Sequence, residues 1–214
     1  MYHYKFIRRL DLELSSLCNA ECPLCPRNVF GHPTNTGYVE RNLTLDDVKH
    51  IFKPEFILQL KQINACGNFG DIVMNPDTPA IIQYFREHNP NANIIVSTNG
   101  GARDRSFWTD LAGNTDRIFF AIDGLEDTHN LYRRNTDFKT VLTNAQTVRD
   151  AGGKTSWIFI VFDHNRHQIE EARKLSKQIG FDHFEVKDHG RNNGPVIDKN
   201  KNVIYWIGRE EYKI

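Results

Sequence analysis

Six short apolar runs, each followed by a stretch with helical spacing, constrain this chain more than any other feature. The runs fall at Phe6–Leu14, Gln62–Cys66, Asn93–Ser97, Arg117–Ile122, Thr155–Phe162 and Asp182–Lys187. They are rich in β-branched and aromatic residues and have the length of strands. Helix signals lie between them. Thr44-Leu-Asp-Asp supplies a capping threonine and an acidic first turn, and Pro76-Asp-Thr-Pro opens a helix through Arg86. Asp104–Leu111 is a short third helix, Phe138–Ala151 stops at Gly152-Gly153, and His167–Ile179 stops at Gly180. Such alternation predicts a parallel sheet with right-handed crossovers. Six units fall short of the eight that close a barrel, so the expected fold is α/β, a partial (β/α)6 barrel. The units consume the chain to about Lys187, and residues 188–214 are read as a loop and a small hairpin holding Tyr205 and Trp206.

With no repeat, low-complexity tract or linker, the 214 residues form one continuous domain, and 39% hydrophobic residues suffice for its core. Lys+Arg 27 against Asp+Glu 27 gives a formal charge of zero, which argues against a polyanion such as nucleic acid as partner. No apolar run approaches the ~20 residues of a membrane span. Met1-Tyr-His-Tyr-Lys-Phe-Ile-Arg-Arg carries charge where a signal peptide needs its apolar stretch. The expectation is a soluble, cytoplasmic protein with no membrane partner.

Three of the four cysteines, Cys18, Cys22 and Cys25, crowd into the long loop after the first strand with the spacing C-x3-C-x2-C. Clustered thiols in a cytosolic chain suggest a metal site before a disulfide frame. A tight loop of this spacing turns three thiolates toward one centre, which suits three corners of a cubane iron–sulfur cluster. A structural zinc needs a fourth ligand, for which His32 or Cys66 is available. Cys66, near the end of the second strand, is otherwise expected to be a buried, small apolar residue.

The triad after a first strand, followed by strand–helix units, resembles the radical S-adenosylmethionine (SAM) superfamily. After the second strand, Cys66-Gly-Asn-Phe-Gly-Asp71 stands where that family has a Gly-Gly-Glu-like turn. Ser97-Thr-Asn-Gly100 follows the third strand, and Ala121-Ile-Asp-Gly124 with Asp127-Thr-His and Tyr132-Arg-Arg134 follows the fourth. Phe162-Asp-His-Asn165 follows the fifth. The match spans residues 6 to 187 and is nearest the core of peptide-modifying, SPASM-type members, with a partial TIM-like barrel as its fold.

The resemblance implies a [4Fe–4S] cluster on Cys18, Cys22 and Cys25, whose fourth iron is left for the amino and carboxylate groups of SAM. It implies cofactor contacts from Leu24, Gly70, Asp71 (to the SAM ammonium), Ser97, Asn99, Asp123 (to a ribose hydroxyl) and Asn165 (near the adenine edge). Arg134, or its neighbour Arg133, is implied for the SAM carboxylate. The implied chemistry is reductive cleavage of SAM to a 5′-deoxyadenosyl radical that abstracts hydrogen from a peptide or protein side chain, fed by an external electron donor such as flavodoxin or ferredoxin. The sequence departs from the pattern at Leu24, often aromatic in relatives, at Phe69 and Ile72 in the turn, and at Ala121, commonly serine. No cysteine follows Cys66, so a SPASM extension with auxiliary clusters is not expected. A small-molecule or nucleoside substrate is the alternative within the same chemistry, and a non-catalytic zinc module is the alternative outside it.

Overall fold

The computed structural model describes residues 3–29, 32–33, 39–188, 194–198 and 200–207. The strands among them are β1 (Arg9–Leu12), β2 (Asn28–Val29), β3 (His32–Pro33), β4 (Gln62–Ala65), β5 (Asn93–Thr98), β6 (Arg117–Ala121), β7 (Thr155–Val161), β8 (His183–Asp188), β9 (Gly194–Ile197) and β10 (Val203–Ile207). The helices are α1 (Leu45–Ile51), α2 (Pro54–Leu58), α3 (Thr78–His88), α4 (Arg105–Ala112), α5 (His129–Tyr132), α6 (Phe138–Asp150) and α7 (Ile169–Gln178).

The start signals act as expected. Thr44 and Asp47 form a capping box on α1, Asp104 accepts from the Phe107 N–H at 3.1 Å, and Asp137 accepts from that of Thr140 at 2.7 Å. Each satisfies an amide that has no partner within the helix. The sequence signals did not announce α5 or the break between α1 and α2, where Pro54 starts a new helix.

The six strands of the main sheet are parallel and lie in the order β1-β4-β5-β6-β7-β8. Every strand is added beside its predecessor, so the crossovers stay on one side and the helices cover one face. Alternate residues on that face, including Leu12, Ile63, Val96, Phe120 and Phe159, enter one core with Phe85, Trp108 and Val148 of the helices. Truncating Phe85 or Trp108 to Ala in such packing costs about 3–5 kcal/mol. Among the described residues, no pairing joins β1 to β8, so the barrel is not closed. The opposite face stays partly open. On it Asn64 donates to Asp11 of the neighbouring strand at 2.6 Å, and Ser97 and Glu13 are exposed.

The expected hairpin forms as β9 antiparallel to β10. Val196 and Ile207 from it join a second apolar cluster with Ala20, Cys22, Tyr132 and Phe162, so it packs on the cysteine loop. The tail residues 189–193 and 208–214 lie outside the described residues. Among the described residues, no helix is long and apolar enough to cross a membrane.

Candidate functional site

The cysteine loop leaves the carboxyl end of β1, and the turn after β4 holds it from below. Asp71 donates its backbone N–H to the Leu17 carbonyl at 2.8 Å. A Cβ on Gly70 would lie 2.0 Å from the Ser15 carbonyl oxygen, so only glycine permits this approach. Arg27 donates to the carbonyls of Phe69, at 2.8 Å, and Ser16. On its other side the loop is tied to the segment after α5, where the Glu21 N–H meets the Arg134 carbonyl at 3.0 Å. Within the loop, the Cys25 N–H bonds to the Cys22 carbonyl at 3.1 Å, and the Asn28 side chain donates to the same oxygen at 3.1 Å.

Donors converge on the thiols. The Ala20 N–H lies 3.4 Å from Cys18 Sγ, and the Asn99 amide nitrogen lies 3.7 Å from it. Arg133 Nη1 lies 3.7 Å from Cys22 Sγ. Burial, and then the nearby Asp71, push the Cys18 thiol up to about 12. Burial also pushes Cys22 up, with Arg133 pulling the other way. Three thiols gathered in one loop are a donor set for a metal cluster.

Among the described residues, no group of three His, Cys, Asp or Glu side chains is gathered to hold a single ion. A cubane takes each thiolate at a different iron, whereas a structural zinc needs four ligands on one centre. The His32 side chain lies outside the described residues. Cys66 is half-buried, which corrects the expectation of a buried apolar residue: it lies beside Glu13 and Asp11, and burial first, then these carboxylates, raise its pKa.

Asp71 and Asn99 come together. The Asp71 carboxylate accepts from Thr98 Oγ1 at 2.7 Å, the Asn99 N–H at 2.7 Å and the Val73 N–H at 3.2 Å. Burial raises its pKa although the Asn99, Thr98 and Val73 bonds oppose it. A carboxylate offers about four acceptor positions, so one remains. Leu24 packs at the rim of the second apolar cluster.

Asp123 is fully buried, with Oδ1 accepting from the Ile160 N–H at 2.6 Å and Oδ2 from Arg133 Nε at 2.6 Å. Asn165 spends its amide on its own turn, accepting from the Phe162 N–H at 2.7 Å and donating to the Ile160 carbonyl at 2.9 Å. Arg134 donates to the Ile197 carbonyl of β9 at 3.5 Å, whereas Arg133 turns toward the cysteines.

Among the buried polar atoms without a hydrogen-bond partner are Asn19 Nδ2, Asp163 Oδ2 and His164 Nε2, none of them in residues assigned a role from sequence. Asn19 also accepts from the Asn99 amide at 3.0 Å, beside Cys18. The His164 ring stacks on Phe162 with centroids 5.4 Å apart. Unsatisfied buried groups are costly, which marks these atoms out. Their one sequence signal was position, within the C-x3-C spacing and after the fifth long strand.

The fold is shared with several solved structures. Native anSMEcpe with bound AdoMet aligns with a TM-score of 0.66 at 18% identity, over 85% of this chain and 51% of that one. Streptococcus suis SuiB bound to S-adenosylmethionine gives 0.69 at 15%, over 94% and 44%. Methylornithine synthase (PylB) gives 0.59 at 13%, over 86% and 55%. The chain thus spans about half the length of these proteins. No curated protein matches its sequence. The model of the radical SAM superfamily matches residues 12–176. With that match over most of its length and the triad on an unclosed parallel barrel, the chain belongs to the radical SAM superfamily, enzymes whose cofactors are a [4Fe–4S] cluster and SAM.

Proposed function

We propose that this protein cleaves SAM reductively and uses the radical formed to take hydrogen from a peptide or protein side chain. The observation that carries this reading is the thiol triad at the carboxyl ends of an unclosed barrel, beside a sheet face left open to a bulky substrate. Cys18, Cys22 and Cys25 would hold the cluster. When bound, the cluster would supply one-electron reduction of the SAM sulfonium, drawing on an external donor such as flavodoxin or ferredoxin.

The chain's own residues would orient that cofactor. Asp71 keeps one acceptor position for the ammonium, Ser97 offers an exposed hydroxyl, and Asn99 and Asn19 flank Cys18. Gly70 and Asn165 shape the walls, and Leu24 supplies an apolar contact. Asp123 would lie on the ribose side, and Arg134, which donates to the Ile197 carbonyl of the hairpin, would serve the SAM carboxylate. Residues 1–187 would be the core and 188–214 an extension, whose described hairpin packs on the cysteine loop. Streptococcus suis SuiB bound to precursor peptide SuiA has this fold at a TM-score of 0.68, which supports a peptide substrate.

A small-molecule substrate is the second reading, favoured by the fold shared with methylornithine synthase. Anaerobically loaded protein, given reductant and SAM, is expected to form 5′-deoxyadenosine faster with a suitable peptide than without one. Stimulation by small molecules alone would favour the second reading. Colourless protein carrying one zinc would sink both.

A further inference from the structure

A buried ion pair that touches a cysteine of the triad has no evident structural need. Asp123 is 0% exposed at its side chain and Arg133 15%. Taking two charges out of water costs as much as their attraction returns, so an apolar pair of the same shape would stabilise the fold equally well. The geometry is nevertheless fixed from every side. The Ile160 N–H holds Asp123 Oδ1, and Asp123 Oδ2 holds Arg133 Nε. The guanidinium lies 5.2 Å from the centre of the Tyr132 ring. The backbone is pinned too: Thr136 donates its hydroxyl to the Arg133 carbonyl at 2.6 Å, and that hydroxyl lies 2.9 Å from Nε2 of buried His129. Held in this way, the guanidinium sets Nη1 3.7 Å from Cys22 Sγ. Cys18 receives its donors from neutral amides, and Cys22 receives the charged one.

We propose that Arg133 is a positioning residue that sets the reduction potential of the cluster through a charge-assisted N–H···S bond to Cys22, and that Asp123 holds it there. This rests on the triad carrying the cluster. A fixed positive charge and a hydrogen bond to a ligand sulfur stabilise the reduced form, which is more negative by one electron, and so raise the potential. The electron itself comes from an external one-electron donor and stays on the cluster. The pair therefore makes reduction easier for that donor.

The test is a redox titration of the anaerobically reconstituted full chain, followed by electron paramagnetic resonance, together with iron content per chain. Arg133→Gln should keep its iron and become about tenfold harder to reduce, a fall of about 59 mV for one electron. Arg133→Lys, which keeps the charge without the fork, should fall by less. Arg105→Gln removes an equal charge from exposed α4 and should leave the potential unchanged.

Asp123→Asn separates charge from position. If only net charge acted, losing the carboxylate would raise the potential, whereas release of the guanidinium lowers it. A fall in Asp123→Asn supports the proposal, also where Arg133→Gln takes up no iron. A rise in Asp123→Asn, or a wild-type potential in iron-loaded Arg133→Gln, overturns it. A wild-type chain that assembles no cluster would instead sink the underlying reading, and the proposal with it.

Discussion

Thr98 donates its hydroxyl to the buried carboxylate of Asp71 across 2.7 Å and so joins the end of β5 to the turn after β4. The direction follows from the neighbour: the Gly100 N–H already donates to the same hydroxyl at 2.9 Å. Thr98→Val should destabilise the fold by about 1–3 kcal/mol, because it removes a donor from a buried acceptor. Asp71→Ala should cost as much, and the double variant less than the sum, with a coupling of about 0.5–3 kcal/mol in urea unfolding. In loaded protein Asp71→Ala should also weaken SAM binding by about 1.5–3 kcal/mol, read by equilibrium titration.

Replacing Cys18, Cys22 or Cys25 by Ala should abolish assembly of the [4Fe–4S] cluster, since each supplies one thiolate corner. Cys66→Ala should keep the iron and the brown colour, because Cys66 lies beside Glu13 and Asp11 on the open sheet face. Loss of iron in Cys66→Ala equal to that in the triad variants would indicate a four-cysteine site.

Gly70→Ala should loosen the cysteine loop. Its Cβ would sit 2.0 Å from one backbone oxygen and 2.8 Å from another, and backbone yields little. A cost of about 1–3 kcal/mol is expected from such overpacking, with reduced iron uptake at unchanged helix content by circular dichroism. Full iron uptake would show that the turn and the loop move independently.

Acid should destabilise the fold through His129. Burial holds its imidazole down to about 3, from an ordinary value of 6.5. The unfolded chain takes up a proton below about 6.5 that the folded chain refuses until about 3. This contribution is therefore complete above pH ~6.5 and is lost as pH falls, by up to about 1.4 kcal/mol per unit. His164, held down to about 4 chiefly by burial, acts with the same sign. Unfolding free energies measured from neutral pH down to about pH 4 should show a slope that His129→Gln reduces by about one proton. An unchanged slope would mean that the His129 site admits water.

The sequence by itself determined the six strands of the sheet and most helix starts, and it set three thiols in one loop, because all of these are written locally. Period-two runs mark strands, capping residues mark helix starts, and C-x3-C-x2-C keeps three sulfurs within one loop whatever surrounds it. The order of the sheet followed as well, since each strand–helix unit is long enough only to place its strand beside the previous one. Tertiary structure decided where the other polar side chains spend their hydrogen bonds. Arg133 and Arg134 are adjacent and chemically identical, yet packing sends one to Cys22 and Asp123 and the other to Ile197. Asn165 looks available in sequence but closes its own turn, while Asn19 and His164, which lie within motifs but were given no role, hold unsatisfied atoms. Cys66 is half-exposed because the sheet never closes over that face, and the hairpin from β9 to β10 reaches the cysteine loop through Val196 and Ile207. Most of these depend on residues distant in the chain meeting at one place, where burial makes an unpaired polar atom costly and so selects its partner.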